Sequence, residues 1–262
     1  MKYMRFVAAA ALILLAAISC KSEYELLLEG NDTEAKYKAA FKYYEDGKFS
    51  KAADLFENLS IITSGTERDD TVQYYWGLSN YAQRDFYTAE TNFEHFLEHF
   101  PRSPFAESAQ FLRIDCLYKA TLRYELDQTP TYNAITKISE YLTEHPTGAN
   151  AQICYKMLSE LNERLDRKAF ENARLYYKME DYKAAKVAFK NILKDDADNV
   201  FREDILYYTA MSSYKYAQLS YAHLQKERYL LFIDDYYNFI GEYPESKYCK
   251  ELEQLYNKVK EK

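Results

Sequence analysis

The fold is decided by a short sequence motif that occurs three times along the chain. Residues 93–103 read FEHFLEHFPRS, residues 138–147 read ISEYLTEHPT, and residues 236–246 read YYNFIGEYPES. Each copy of the motif has an apolar residue eight positions before a proline and an aromatic residue five positions before the same proline. Repetition at this scale predicts a solenoid of stacked helix pairs. Solenoids usually serve as binding surfaces rather than as enzymes.

The clearest repeat runs from residue 70 to residue 103. Gly77 lies in its first helix, Ala89 and Phe93 lie in its second helix, and Pro101 closes it. The spacing resembles the tetratricopeptide repeat, a helix-turn-helix unit of about 34 residues. Two antiparallel helices approach closely only where a small residue faces the partner helix. We therefore expect Gly77 and Ala89, and Ala185 in a later repeat, to be buried at helix crossings.

The same pattern extends over most of the chain and predicts an all-α fold. Strands are not favoured, because six glycines and five prolines punctuate 262 residues without sustained alternation. Asp-Gly-Lys at 46–48 and Glu-Asp at 180–181 are expected to form turns between paired helices. We predict a solenoid of about five tetratricopeptide-like helix pairs at residues 36–64, 70–103, 106–146, 166–199 and 203–244, a bridging helix at 149–167 and a C-terminal capping helix at 247–260.

The N-terminus predicts export and lipid attachment. A run of 13 apolar residues, Phe6–Ile18, follows Lys2 and Arg5 and ends in Ala-Ile-Ser-Cys at Cys20. Such a run suits a signal peptide and is too short to span a bilayer. It resembles the bacterial lipoprotein signal, in which the cysteine is lipidated and becomes the mature N-terminus. The alternative is an ordinary signal peptide with a coincidental cysteine.

This interpretation predicts three segments: a signal peptide at residues 1–19, a lipidated tether at 20–32, and a single solenoid domain at 33–262. The domain is divided into an N-terminal half, 33–149, and a C-terminal half, 150–262. Without the signal peptide the chain carries 32 basic and 41 acidic residues. It has no basic cluster typical of nucleic-acid binding.

The sequence offers little to support an enzyme. His95 and His99 match an H-x-x-E-H zinc motif, but Phe96 occupies a core position of the repeat and Pro101 follows closely, so an exposed helix face is the favoured interpretation. We predict no catalytic residue, no metal site and no cofactor other than the covalent lipid on Cys20. Cys116 and Cys154 could form a disulfide in an oxidising compartment, although buried thiols are the favoured interpretation.

The 28 tyrosines are the most unusual feature of the composition. Many occupy repeat core positions, where the ring packs and the hydroxyl reaches solvent. A second set recurs on the first helices of the first two repeats, where aromatic side chains would suit a peptide-binding groove. Ordinary packing remains the alternative for this set. The predicted groove residues are Tyr37, Phe41, Tyr44, Tyr74, Leu78 and Tyr81.

The lipoprotein signal, the repeats and the capping helix occur along this chain in an order that resembles the BamD family, lipoproteins of the outer-membrane β-barrel assembly machinery. The stretches that carry the resemblance are residues 40–49, 74–78 and 96–104, together with the lipoprotein signal and the capping helix. The resemblance implies a non-enzymatic scaffold that is lipid-anchored in the outer membrane with its body in the periplasm. It also implies that the N-terminal groove binds unfolded β-barrel precursors.

The resemblance further implies that the C-terminal half binds the barrel-forming insertase subunit and that other lipoproteins of the machinery are partners. We expect the contact to include exposed aromatic residues on one long helix, namely Tyr207, Tyr208, Tyr214 and Tyr216. An alternative function on the same fold is an adaptor for envelope polysaccharide or cell-division machinery, because a fold alone does not fix a function.

Overall fold

The computed structural model describes residues 22–260, which form twelve α-helices and no strand. They fall into two compact units, an N-terminal unit that ends at Ala120 and a C-terminal unit that starts at Thr121. The N-terminal unit contains α1 (Glu23–Glu29), α2 (Thr33–Glu45), α3 (Phe49–Ile62), α4 (Asp69–Ala82), α5 (Phe86–His99) and α6 (Ala106–Lys119). The C-terminal unit contains α7 (Thr129–Glu144), α8 (Ala151–Lys178), α9 (Tyr182–Asp195), α10 (Arg202–Gln218), α11 (Ala222–Glu242) and α12 (Cys249–Lys260).

Within each unit, every helix packs against the next helix in the chain. Such nearest-neighbour packing is typical of a solenoid, and the predicted all-α fold is confirmed. The predicted segments, with halves that meet at residues 149 and 150, stay a prediction. Between residues 22 and 260, no helix combines the length and the apolar character that crossing a bilayer requires.

Three repeats share one turn between their paired helices. Gly47, Arg84 and Glu180 each lie two residues before the second helix of a pair, and their φ angles are 73°, 68° and 62°. A left-handed residue at this position ends the first helix. Asp85 and Asp181 then start α5 and α9, because each carboxylate accepts a hydrogen bond of 3.1 Å from the amide three residues ahead. The turns predicted at 46–48 and 180–181 are confirmed.

The small residues lie at helix crossings, as predicted. Ala89 and Ala185 are fully buried, and Gly77 is buried against the ring of Phe93. A Cβ atom at Gly77 would lie 2.7 Å from Cε1 of Phe93, which is itself fully buried. The α4–α5 crossing is therefore too tight for any side chain at position 77.

We expect Gly77→Ala to destabilise the protein. Alanine gains about 1 kcal/mol of helix propensity over glycine, but overpacking of a filled core costs about 1–3 kcal/mol. Thermal and denaturant unfolding should show a net loss of stability. The matched control is Gly241→Ala, because nothing lies within 4 Å of a Cβ atom there; it should be neutral or stabilising by up to about 1 kcal/mol. Equal stability of the two variants would contradict the assigned crossing.

The predicted bridging helix at 149–167 is wrong as a separate element. Residues 151–178 form one continuous helix, α8, of 28 residues. The physical reason is that no glycine or proline interrupts this stretch. The first helix of the fourth repeat is therefore extended by several turns at its N-terminal end.

The C-terminal end of the solenoid agrees with the prediction. Phe232 stands where other repeats have alanine, and it is fully buried. The capping helix forms as α12, with Leu252 and Val259 buried and most of its charged residues exposed. A polar outer face on the last helix keeps a solenoid soluble.

The predicted tether is partly helical. Within residues 20–32, α1 begins after Ser22, and its Tyr24, Leu27 and Leu28 pack against the core of the N-terminal unit. Three apolar side chains on one short helix suffice to dock it. The predicted signal peptide and the predicted lipidation site, Cys20, lie outside the described residues.

Candidate binding surfaces

An unbroken row of rings joins α2 to α4 in the N-terminal unit. The ring centroids of Tyr37 and Phe41 are 4.9 Å apart, and Tyr75 lies 4.7 Å from Phe41 and 5.3 Å from Tyr44. Tyr74 follows, 5.8 Å from Tyr75. We call these five residues the aromatic strip. Sequence reasoning missed Tyr75, although its position directly after Tyr74 was an available signal.

The members of the aromatic strip differ in burial. Tyr37, Phe41 and Tyr44 are half-buried, so each keeps part of its ring at the surface. Tyr74 is only 7% exposed, and its ring stacks on Phe105 at 4.5 Å. Burial raises the pKa of both Tyr44 and Tyr74. For Tyr74 the expectation of an open groove position is wrong, because the ring belongs to the core.

The hydroxyl of Tyr74 provides a test of this placement. It lies 2.8 Å from Oγ of Ser108 on α6. We expect Tyr74→Phe and Ser108→Ala each to cost about 0.5–1.5 kcal/mol of stability. The double variant should cost little more than either single variant, because both remove the same hydrogen bond. Additive losses in denaturant unfolding would contradict the pairing.

Leu78 and Tyr81 lie further along α4, and both are half-buried. The Tyr81 hydroxyl donates to Asp115 and accepts a hydrogen bond of 3.1 Å from Nζ of Lys119. The same ammonium pairs with Asp115. Tyr81 is therefore held by a polar cluster on α6, and its ring is the part that remains for contact with a ligand.

A cation also lies at the Tyr37 end of the aromatic strip. The guanidinium of Arg68 lies 4.5 Å from the Tyr37 ring and forms an exposed ion pair of 2.7 Å with Glu34. Because Glu34 also pairs with Lys38 at 3.8 Å, the charges at this end are only partly balanced, and they lie at the edge of the strip. Its chemistry is that of an apolar, aromatic surface with hydroxyl groups at its edge.

The four tyrosines predicted as exposed on α10 are not exposed. Tyr207 and Tyr214 are buried, and Tyr208 and Tyr216 are half-buried. The ring of Tyr207 stacks on Tyr248 at 3.9 Å, and its hydroxyl donates to Glu251. The physical reason is that α10 is contacted by α8, α9, α11 and α12. The predicted role of these four tyrosines in partner binding remains untested, and their low exposure does not support it.

A different set of apolar side chains is exposed in the C-terminal unit. Leu175, Tyr176 and Met179, which we call the α8 stripe, are 55%, 45% and 67% exposed. At 3.6 residues per turn, Leu175 and Met179 continue the face of α8 that carries the fully buried Leu161. One helix face is thus core at one end and open to solvent at the other.

A clamped loop lies on the same side of α8. Arg164 donates to Oγ1 of Thr121 at 2.5 Å, and Lys168 donates to the carbonyl of Leu126 at 2.7 Å. The loop presents Leu122 and Leu126, which are 41% and 46% exposed. Sequence reasoning missed both these exposed leucines and the α8 stripe.

Two other sequence signals have ordinary explanations. His95, Glu98 and His99 are exposed, so the favoured interpretation of a solvated helix face is confirmed. The described part of the chain holds no group of three or more His, Cys, Asp or Glu side chains suited to a metal ion. Cys116 and Cys154 are buried and not disulfide-bonded. Burial raises the pKa of the Cys116 thiol to about 12, which makes it unreactive near neutral pH.

Helix pairs with small residues at their crossings define a helical-repeat protein of the tetratricopeptide class. Within that class, the chain belongs to the YfiO family, described as outer membrane lipoprotein, whose model matches residues 29–231. The match begins at the end of α1 and ends within α11. The predicted resemblance to the BamD family is thereby confirmed.

Solved structures with repeats of this kind are similar to the chain at low identity. One is the TPR2AB domain of yeast Sti1 in its pHSP90 complex, with 15% identity, 87% of this chain and 98% of that chain covered, and a TM-score of 0.39. Another is a Podosopora anserina protein with nearly identical TPR-like repeats, with 12% identity, 84% and 98% coverage, and a TM-score of 0.34. No curated protein matches the sequence significantly.

Proposed function

We propose that this protein is a non-enzymatic scaffold for the assembly and insertion of β-barrel proteins into the outer membrane. Membership of an outer membrane lipoprotein family over residues 29–231 carries this proposal. The lipid is attached at Cys20, and the helical body lies in the periplasm. No bond of a substrate is made or broken; the protein acts by holding its partners together.

The aromatic strip suits the binding of unfolded barrel precursors. A barrel strand has alternating side chains, many of them aromatic near the membrane interfaces. Partly exposed rings at Tyr37, Phe41 and Tyr44 offer a large contact area with few rotatable bonds to immobilise. Because the rings of the strip carry no charge themselves, they can accept precursors of different charge.

The C-terminal unit suits the stable contact with the barrel-forming insertase subunit. The α8 stripe and the clamped loop together expose five apolar side chains, each between 41% and 67%. Clustered exposed apolar residues are typical of protein interfaces, and the three residues of the α8 stripe lie together at the C-terminal end of α8. We place the insertase contact there rather than on the buried tyrosines of α10. Other lipoproteins of the machinery would then bind elsewhere on the body.

Depletion of the protein in its native cells tests this function. We expect newly made outer-membrane barrels to accumulate unfolded, as heat-modified mobility on gels would report, before other envelope functions fail. The control is a strain in which the depleted protein is supplied from a second copy. Normal barrel folding with early defects in surface polysaccharide or in septation would instead favour an adaptor for those machineries.

A further inference from the structure

The first described residues form an ordered start to the body rather than a loose leader. The Glu25 amide donates to Oγ of Ser22 at 3.2 Å, and the Ser22 amide donates to the Glu25 carboxylate at 2.7 Å. This reciprocal capping box satisfies two backbone donors and fixes the first turn of α1. The N-cap of α1 therefore lies two residues after Cys20, and the helix begins at the next residue, Glu23.

A tyrosine fastens the start of α1 to the body. The Tyr24 hydroxyl donates to Asp54 of α3 at 2.6 Å. Its ring meets the Tyr43 ring edge-on at 5.7 Å, and Nζ of Lys51 lies 4.9 Å from its centroid. Burial, followed by the bond to Asp54, raises the pKa of Tyr24. Three kinds of contact thus converge on one side chain near the predicted lipid.

Two leucines fasten the rest of the helix. Leu27 and Leu28 pack against the core cluster that contains Ala40, Ala52 and Phe56. Leu26, between Tyr24 and these leucines, is 60% exposed. The helix therefore has one docked face and one open face, and a substitution can be directed at either.

We infer that α1 is a clamp that holds the N-terminal unit against the lipid surface, an inference that rests on the proposed lipidation of Cys20. Only Lys21 separates Cys20 from Ser22, and two residues span at most about 7 Å of extended chain. The lipid chains fix Cys20 at the bilayer. The N-terminal end of α1 and the adjoining part of α3 around Lys51 and Asp54 must then lie at the headgroups.

Electrostatic attraction does not explain this placement. Glu23, Glu25 and Glu29 are exposed on α1, so the helix would not attract an anionic lipid surface by itself. The short connection between the lipid and a docked helix enforces the proximity. If α1 were undocked, residues 20–32 would become a tether with a reach of up to about 45 Å, and the body would move away from the membrane.

Fluorescence quenching on vesicles tests the clamp. The full-length lipidated protein carries Cys249→Ser and a fluorophore on Ser50→Cys, an exposed position in α3. The vesicles contain phosphatidylethanolamine, phosphatidylglycerol and a lipid with a nitroxide on its headgroup. We expect strong quenching in the parent and in Leu26→Glu, which alters the open face. Leu28→Glu, and independently Tyr24→Ala, should lower quenching at least threefold while the circular dichroism spectrum keeps its helical amplitude.

Two outcomes would overturn the inference and are distinguishable. Equal quenching in the parent, Leu28→Glu and Tyr24→Ala, or none in the parent although it floats with the vesicles, would remove the clamp and leave the lipid anchor intact. A parent protein that does not float with the vesicles would instead remove the anchor, and with it both the proposed attachment and the clamp.

Discussion

Cys20→Ser is expected to move nearly all of the protein from the membrane fraction to the soluble fraction, or to block its processing. Burial of a lipid chain contributes about 0.8 kcal/mol per methylene group, and two chains are needed for durable attachment. No helix between residues 22 and 260 offers an alternative span. The loss should therefore be close to complete, and no partial phenotype is expected.

Membrane fractionation and incorporation of a labelled fatty acid measure this effect together. Cys249→Ser is the matched control, because Cys249 is a thiol with partial exposure on the folded body. It should keep both the label and the membrane association. If Cys20→Ser remained in the membrane fraction and the parent incorporated no label, Cys20 would not be the site of a lipid anchor.

The double substitution Leu175→Glu and Met179→Glu is expected to weaken capture of the insertase subunit by about 100-fold, or about 2.7 kcal/mol. Both side chains are more than half exposed, so charging them should leave the fold intact. At an interface the same charges would be buried without partners, which is costly. Affinity measured with purified proteins, beside a thermal melt, separates these effects.

The matched control for that variant is Val187→Glu. Val187 is 53% exposed on α9, outside the α8 stripe, so Val187→Glu adds one of the two negative charges to another part of the C-terminal unit. It should change affinity less than threefold. Affinity that is unchanged in the double variant would exclude the α8 stripe as the contact, and a lowered melting temperature would show that the stripe is needed for packing.

Sequence reasoning was sufficient for features set by short-range geometry. Gly77, Ala89 and Ala185 were predicted at crossings because close approach of paired helices requires small residues at fixed spacing, and all three are buried. The turns at Gly47 and Glu180 were predicted from the short turn sequences between the paired helices. Such constraints lie within one repeat and are visible in a single sequence.

Features that depend on which helices cover which faces could not be predicted in this way. Tyr207 and Tyr214 have the same periodicity whether or not other helices cover them, and only the folded arrangement shows that α12 contacts Tyr207 and that α11 contacts Tyr214. The covering of Tyr74 by Phe105 depends on the approach of α6. The docking of α1 rests on a helix of seven residues, too short for a periodic signal.

The most direct test of the proposed scaffold is site-specific photocrosslinking in native membranes, with a photoreactive residue at Tyr37 in one strain and at Leu175 in another. Mass spectrometry then identifies the captured neighbours. We predict unfolded barrel precursors at position 37 of the aromatic strip and the barrel-forming insertase at position 175 of the α8 stripe. Capture of only polysaccharide or cell-division proteins at both positions would contradict a role in barrel assembly.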